Sequence, residues 1–372
     1  MKNKNKKIIY LLAGEASGDL HGSGLMRAMK KNDSNICFLG IGGPNMEKEG
    51  LKSLVPISQL AVMGFWEVLK KLTFFFKLEK KVLNHISETK PSQIIMIDYP
   101  GFNLRIAQKI KEKNNLKIIY YISPQLWAWK EKRINVIKKY IDNMIVVFPF
   151  EKQWYSQRGL SVEYFGHPVI DHGKLFNYSL SKKNTEINIA ICPGSRAQEI
   201  KRHMPILSKL IEEYPKRAQK KVRFIIIQAP GVNKTLLKKY IKNKNATIVN
   251  TSILQSFETI NVGIVASGTA SLECSITKKP LIVIYKMSWI SWFITKSFVK
   301  IPFACITNIL ANEKIIPELL QKQLTLENLI NHLDYILSQK EQTQYAKKIN
   351  KIIKTLGSGN SYQQAANFIL KK

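Results

Sequence analysis

Several signatures that would fix this chain's chemistry outright are missing from its 372 residues. There is no Gly-x-Gly-x-x-Gly stretch: Gly40-Ile41-Gly42-Gly43 runs on to Asn45, which argues against a nicotinamide cofactor. No Gly-x4-Gly-Lys-Ser/Thr loop occurs, so a P-loop grip on phosphate is excluded. His-Glu-x-x-His and Gly-x-Ser-x-Gly are absent too, against zinc peptidases and α/β-hydrolases. Aspartate is scarce, with six in all and none in an Asp-x-Asp pair, the usual cation holder of metal-dependent sugar transferases. A metal-free mechanism is therefore expected, with no cofactor. The four cysteines, Cys37, Cys192, Cys274 and Cys305, are scattered without a Cys-x-x-Cys pair. That disfavours a disulfide framework or structural zinc and fits a reducing cytoplasm. Long apolar runs are missing as well. Ile8 to Leu12, behind a lysine-rich start, is too short for a secretory signal and is followed at once by Glu15 and Asp19. Leu281 to Leu310 is broken by Lys286, Lys296 and Lys300 and does not span a bilayer.

Negative charge is the scarcest property. Against 26 acidic residues stand 58 basic ones, a formal net charge of +32, and only eight of the basic residues are arginine. A genome biased toward lysine, isoleucine and asparagine gives this pattern, and so does attraction to nucleotide phosphates, acidic lipid or RNA. Charge alone does not choose.

What is present is an alternation of apolar strand-like runs with helical patterns. The first half offers Ile8–Ala13, Ile36–Ile41, Ile94–Ile97, Lys117–Ile122 and Met144–Phe148; the second offers Ile187–Ile191, Val222–Gln228, Thr247–Val249, Val262–Val265 and Leu281–Tyr285. Such alternation predicts α/β architecture with parallel sheets covered on both faces. Asp171 to Glu186, polar and rich in Ser, Lys and Asn, reads as a linker, and Leu326 to Lys372 reads as all-helical with a break near Gly357-Ser358-Gly359. Two doubly wound domains facing across a cleft are expected, with ligands at the carboxyl ends of strands.

Two loops carry the clearest chemistry. Cys192-Pro193-Gly194-Ser195-Arg196 and Ala266-Ser267-Gly268-Thr269-Ala270-Ser271-Leu272-Glu273 each follow a β-branched run and open a helix. Small residues there let backbone N–H groups approach an anion that the helix dipole also favours. Together they suggest a nucleotide diphosphate held at both ends. Arg196 adds a charge-assisted contact to a departing diphosphate, or is merely solvated at a helix start. Glu273 suits the hydroxyls of a ribose, or simply complements the helix N-terminus.

In the first half, Gly14-Glu15-Ala16-Ser17-Gly18-Asp19 leads from a strand into a helix that Ser17 or Asp19 is placed to cap. Ile94-Ile95-Met96-Ile97-Asp98 is a buried strand ending in a carboxylate before Tyr99-Pro100-Gly101. Asp98 stands where a general base for a sugar hydroxyl belongs, or where a turn wants an aspartate. Phe65 to Lys77 sets Phe65, Trp66, Leu69, Leu72, Phe75 and Phe76 beside lysines at helical spacing. It reads either as a core-facing helix or as one lying in a membrane interface. Phe74, Phe75 and Phe76 cannot all face one core, so at least one is expected to be exposed or to face the cleft. Met287 to Phe303 has a similar character. His167 and His172, beside Pro168 and Asp171, read as structural rather than as metal ligands.

These residues resemble the lipid-A-disaccharide synthase family, inverting glycosyltransferases (family 19) of the two-domain GT-B fold. The resemblance runs through Ala13–Asp19, Gly42–Met46, Leu60–Gly64, Ser123–Trp129, Pro149–Lys152 and Phe165–Pro168. It continues in the two loops and in Asn308-Ile309-Leu310-Ala311, in order along nearly the whole chain. It implies a first Rossmann-like acceptor and membrane-facing domain over 1–172, completed by the C-terminal helices 346–372, and a UDP-sugar donor domain over 186–345. The implied reaction joins UDP-2,3-diacylglucosamine to 2,3-diacylglucosamine 1-phosphate, giving a β-1,6 disaccharide 1-phosphate and UDP. Asp98 would be the base and Arg196 the partner of the leaving phosphates. Ser17, Gly194, Ser195, Gly268, Thr269, Glu273 and Asn308 would complete the donor site. The 65–76 stretch would be the membrane and acyl patch. Further implications are a cytoplasmic protein, peripheral on the anionic inner face of the cytoplasmic membrane, a homodimer exchanging C-terminal helices, and no nucleic-acid partner. Two positions depart from the pattern: Gly101 stands where members carry a second aspartate, and Thr307 where many carry proline. The nearest rivals are a UDP-sugar 2-epimerase, an undecaprenyl-linked glucosaminyltransferase, and a non-catalytic basic protein.

Overall fold

The computed structural model describes residues 6–60, 72–173, 186–241, 243–289, 292–293, 301–337 and 339–371. The chain forms two compact units, one of residues 1–168 with 359–372 and the other of residues 169–358.

The first unit is built on a seven-stranded sheet in the order β3-β2-β1-β4-β5-β6-β7, with every pairing parallel. Its strands are β1 (Lys7–Ala13), β2 (Ile36–Ile41), β3 (Leu51–Ser53), β4 (Gln93–Ile97), β5 (Lys117–Tyr121), β6 (Asn143–Val146) and β7 (Glu163–Tyr164). Side chains alternate across a strand, and here both faces are covered, so the strands are apolar throughout. Ile9, Leu11, Ile95 and Ile97 pack with Leu25 and Met29 of the helix Ala16–Asn32 and Ala365 and Ile369 of the helix Ser361–Lys371. Tyr10, Leu12, Ile94 and Met96 pack instead with Leu78, Val82 and Ile106 from the helices Leu72–Thr89 and Pro100–Lys111. Each such fully buried aliphatic side chain contributes about 1.5–3 kcal/mol.

The second unit repeats the plan with six parallel strands in the order β10-β9-β8-β11-β12-β13. These are β8 (Glu186–Cys192), β9 (Lys221–Ile227), β10 (Ala246–Val249), β11 (Val262–Ala266), β12 (Leu281–Tyr285) and β13 (Glu318–Leu320). The helix Ala197–Arg217 covers one face through Ile200, Met204 and Leu207. On the other face Ile349 and Ile352 of the helix Gln339–Thr355 join Ala190 and Val265. The expected completion of the first domain starts at residue 346; the chain passes from the second unit to the first between Ser358 and Gly359. Gly357 and Gly359, both at positive φ, carry that passage.

In each sheet the chain reverses direction of growth between two adjacent strands, β1 and β4 in one unit and β8 and β11 in the other. Ligands of doubly wound sheets bind outside the carboxyl ends of strands at such a point. All four loops that leave these strands carry sequence-predicted site residues.

Candidate active site

In the first unit the loops after β1 and β4 are pressed together. A Cβ on Gly14 would stand 2.3 Å from Cδ1 of Tyr99, so glycine alone admits the tyrosine ring. The Tyr99 hydroxyl donates to the Leu60 carbonyl at 3.0 Å. Asp98 and Tyr99 both take left-handed backbone, at φ 45° and 50°. Two consecutive non-glycine residues there cost about 1–3 kcal/mol each, the kind of strain that clusters at functional sites. The strained turn is held by its own carbonyl: Asp98 O accepts from Tyr120 Oη at 2.6 Å and from Asn103 Nδ2 at 2.7 Å. The Asp98 carboxyl itself meets the Tyr99 backbone N–H. Burial, then the nearby charge of Glu15, push its pKa up to about 7, against a lowering contact from the Tyr99 backbone. A base poised there is half ionised near neutrality, where general-base catalysis is most effective.

The charge of a second carboxylate also raises the Asp98 pKa, one to which the sequence assigns no role. Glu151 is fully buried and accepts from Ser123 Oγ at 2.7 Å, Trp127 Nε1 at 3.1 Å, and the backbone N–H groups of Val147 and Phe148 at 3.1 and 2.9 Å. Burial raises its pKa to about 7 despite those four donors. The signal for it was legible: Pro149 and Glu151 are the first and third residues of a helix, the places for a proline start and a capping-box carboxylate.

The expected cap of the first helix is a correction. Glu15, the residue at its N-cap, makes no capping hydrogen bond with its side chain. Asp19 instead reaches across to the loop after β2, accepting from the N–H groups of Gly43, Asn45 and Met46 at 2.9, 3.0 and 2.9 Å. It thereby caps the helix Pro44–Lys48 rather than its own. Ser17 stands partly exposed in the first turn.

In the second unit the loop after β8 turns at Gly194, φ 125°, and leaves Ser195 exposed and Arg196 partly so. The Ser195 N–H and Arg196 Nη1 both donate to Glu199, at 3.1 and 2.8 Å. The loop after β11 turns at Gly268, φ 142°, into the helix Thr269–Ser275, with open space where a Cβ would stand on Gly268. Gly268 and Thr269 are exposed, and Ser271 Oγ closes the turn on the Gly268 carbonyl at 2.7 Å. Glu273 is partly buried, and its carboxylate makes no hydrogen bond or ion pair with the described residues. Burial alone lifts its pKa to about 7. A carboxylate in that state gains most from a ligand that brings hydroxyl donors.

Asn308 sits differently from its expected place among the donor contacts. It is fully buried, and its Nδ2 donates to the Ile316 carbonyl at 2.8 Å and to Glu318 Oε1 at 2.7 Å. Its Oδ1 accepts from the N–H groups of Ile315 and Ile316 at 3.0 and 2.9 Å. Both ends of the amide are occupied within the protein, so the side chain fastens the helix Ile306–Ala311 to Ile315, Ile316 and Glu318.

Of the patch expected over 65–76, Phe65, Trp66 and Leu69 and the side chain of Leu72 lie outside the described residues. Phe74 and Phe75 pack against the first core while Phe76 is 52% exposed, with the Arg105 guanidinium 5.0 Å above its ring. Among the described residues no helix is long and apolar enough to cross a membrane.

Comparison with known proteins fits this arrangement. Residues 9–371 match the family described as lipid-A-disaccharide synthetase. The chain belongs to that family. Lipid-A-disaccharide synthase 1 of Legionella pneumophila (strain Paris) is 37% identical over 371 residues, covering 96% of this chain and 95% of that one. The synthase of Pseudomonas putida (strain F1) is 34% identical over 369 residues, covering 96% of each. Among solved structures, UDP-GlcNAc 2-epimerase from Neisseria meningitidis bound to UDP-GlcNAc matches with a TM-score of 0.65 and 11% identity, over 98% of this chain and 100% of that one. The calicheamicin glycosyltransferase CalG4 matches with a TM-score of 0.61 and 11% identity, over 99% and 98%. The α/β fold with two parallel sheets is thus the GT-B fold, and the chain is a glycosyltransferase of lipid-A disaccharide synthesis.

Proposed function

We propose that the chain transfers a 2,3-diacylglucosamine unit from UDP to the 6-hydroxyl of 2,3-diacylglucosamine 1-phosphate. In this reading Asp98 takes the proton of the 6-hydroxyl as its oxygen attacks the anomeric carbon. The bond from that carbon to the UDP oxygen breaks on the opposite face, so the α-linked donor gives a β-1,6 linkage. Negative charge then gathers on the departing diphosphate. The Ser195 hydroxyl, the Gly194 N–H, the N–H groups of the Gly268 turn, Thr269 and Arg196 are donors that stabilise it most where charge develops. Glu273 accepts from the ribose hydroxyls; Ser17 belongs to the same donor contacts, and Asn308 supports the loop beside them.

One observation carries the proposal: a carboxyl titrating near neutrality on a strained turn at the switch point of the first sheet. The same reading places the protein on the anionic inner face of the cytoplasmic membrane. The exposed Phe76 beside Arg105 and the net charge of +32 support it. It also includes a homodimer that exchanges C-terminal helices.

The test is UDP release with UDP-diacylglucosamine or UDP-N-acetylglucosamine, each with and without the acylated acceptor. Release should need both acylated partners. Release from UDP-N-acetylglucosamine alone would overturn the reading in favour of an epimerase-like or hydrolytic activity.

A further inference from the structure

The helix Ala197–Arg217 presents two buried ionisable side chains, Glu199 and His203, to the underside of the Pro193–Arg196 loop. They are four residues apart, one above the other on one helix face. Neither is needed for helix formation, and burying both is costly unless their polar atoms are matched. They are matched almost entirely by that loop and its surroundings.

Glu199 holds the loop by its functional end. One carboxylate oxygen accepts the Ser195 N–H at 3.1 Å and the other accepts Arg196 Nη1 at 2.8 Å. The fit beneath Gly194 is close, since a Cβ on that glycine would stand 2.6 Å from Oε2. His203 fixes the other end. Its Nδ1 donates to the Pro193 carbonyl at 2.7 Å, while its Nε2 accepts the Lys286 N–H at 2.9 Å. Those partners define a neutral ring with the proton on Nδ1, and burial lowers the pKa to match. Pro193 follows β8 and Lys286 follows β12, and β11 with its Gly268 loop lies between them in the sheet. His203 therefore ties the strands on either side of the second candidate loop.

We propose that Glu199 and His203 are positioning residues for the nucleotide diphosphate: Glu199 aims the Arg196 guanidinium and pins the Ser195 backbone by taking its N–H, and His203 fixes the loop against the end of β12. The inference rests on the reading that Arg196 meets the donor phosphates. An arginine side chain on a loop otherwise samples many rotamers. A buried carboxylate that takes one of its five N–H donors removes much of that freedom before substrate arrives. Neither Glu199 nor His203 needs to touch the donor for this to matter.

The test is a double-mutant cycle on the full chain, with Glu199→Ala, Arg196→Ala and the pair together. Readouts are kcat/KM for the UDP-sugar donor, KM for the acceptor, UDP affinity by calorimetry, and melting temperature. Positioning predicts that Glu199→Ala lowers donor kcat/KM and UDP affinity by roughly ten-fold or more, as expected for contacting residues in one network. Acceptor KM stays in place, and adding Glu199→Ala to Arg196→Ala costs less than about two-fold further. Independent, multiplying effects of the two substitutions would overturn the proposal. Where Glu199→Ala does not fold, Glu199→Gln, which keeps shape but not charge, serves. It should lose donor kcat/KM at an unchanged melting temperature, and wild-type kinetics would overturn the proposal. Should Arg196→Ala alone leave UDP affinity intact, the placing of Arg196 at the phosphates fails, and this inference with it. For His203, the discriminating result is a donor-specific loss in His203→Phe; an equal loss toward both substrates would mark a merely structural residue.

Discussion

The Tyr99 ring rests on Gly14 so closely that a Cβ there would meet Cδ1 at 2.3 Å. Because Asp98 and Tyr99 share one left-handed turn, whatever moves the ring moves the carboxyl as well. Gly14→Ala is therefore expected to lower turnover by about ten-fold or more, since small misplacements of a catalytic group are costly. UDP affinity should stay the same. Steady-state kinetics with UDP calorimetry checks this, and a wild-type rate would show that the contact does not position Asp98.

Asp98 also sets a pH dependence. Its pKa moves from an ordinary 3.8 to about 7 in the folded chain. Between those values the folded state holds a proton that the unfolded state has lost, so stability falls as pH rises from about 4 to about 7 and is level above. Asn removes the burden and keeps a residue that tolerates the left-handed backbone. Asp98→Asn should melt higher than wild type at pH 8, with the gap closing toward pH 4. Thermal melts across that range check it, and equal melting temperatures at pH 8 would contradict it.

Glu273 titrates at about 7 because burial disfavours its charge. Ribose hydroxyls donating to it would stabilise the charged form, so UDP binding should release protons and strengthen as pH rises through neutrality. Calorimetry in two buffers of different ionisation heat counts the protons. Glu273→Gln should release fewer and bind less tightly at pH 8; an unchanged count would place the ribose elsewhere.

Asn308 satisfies four polar groups at once, those of Ile316 and Glu318 buried and that of Ile315 partly so. Asn308→Ala leaves the Ile316 N–H unmet, since the Ile315 N–H also donates to the Glu313 carbonyl at 3.0 Å, and the loss costs about 1–3 kcal/mol. A fall in melting temperature of several degrees or more is expected, and a melt unchanged from wild type would remove Asn308 from its structural role.

The runs that were read as strands were legible because both faces of each sheet are buried, which makes the strands nearly continuous in Ile, Val and Leu. The three that were not read, β3, β7 and β13, are edge strands of two or three residues, too short to show any period. The candidate loops were legible for a related reason: glycine at positive φ between a strand and a helix leaves a mark in sequence. Contacts between distant segments leave none. Asp19 looks like a cap for its own helix, and only the fold brings Gly43 and Met46 to it. Glu199 and His203 read as ordinary amphipathic helix residues until the loop above them is in place. Asn308 is placed in the donor site only by the family resemblance, whereas the fold spends its amide on Ile315, Ile316 and Glu318.

The most direct measurement is UDP release from UDP-diacylglucosamine and acylated acceptor by Asp98→Asn, with UDP affinity measured on the same preparation. Loss of a general base predicts a fall in rate of about 100- to 10,000-fold with UDP affinity within about two-fold of wild type. Turnover near the wild-type rate, or a collapse of UDP affinity, would contradict the assignment of Asp98 as the base.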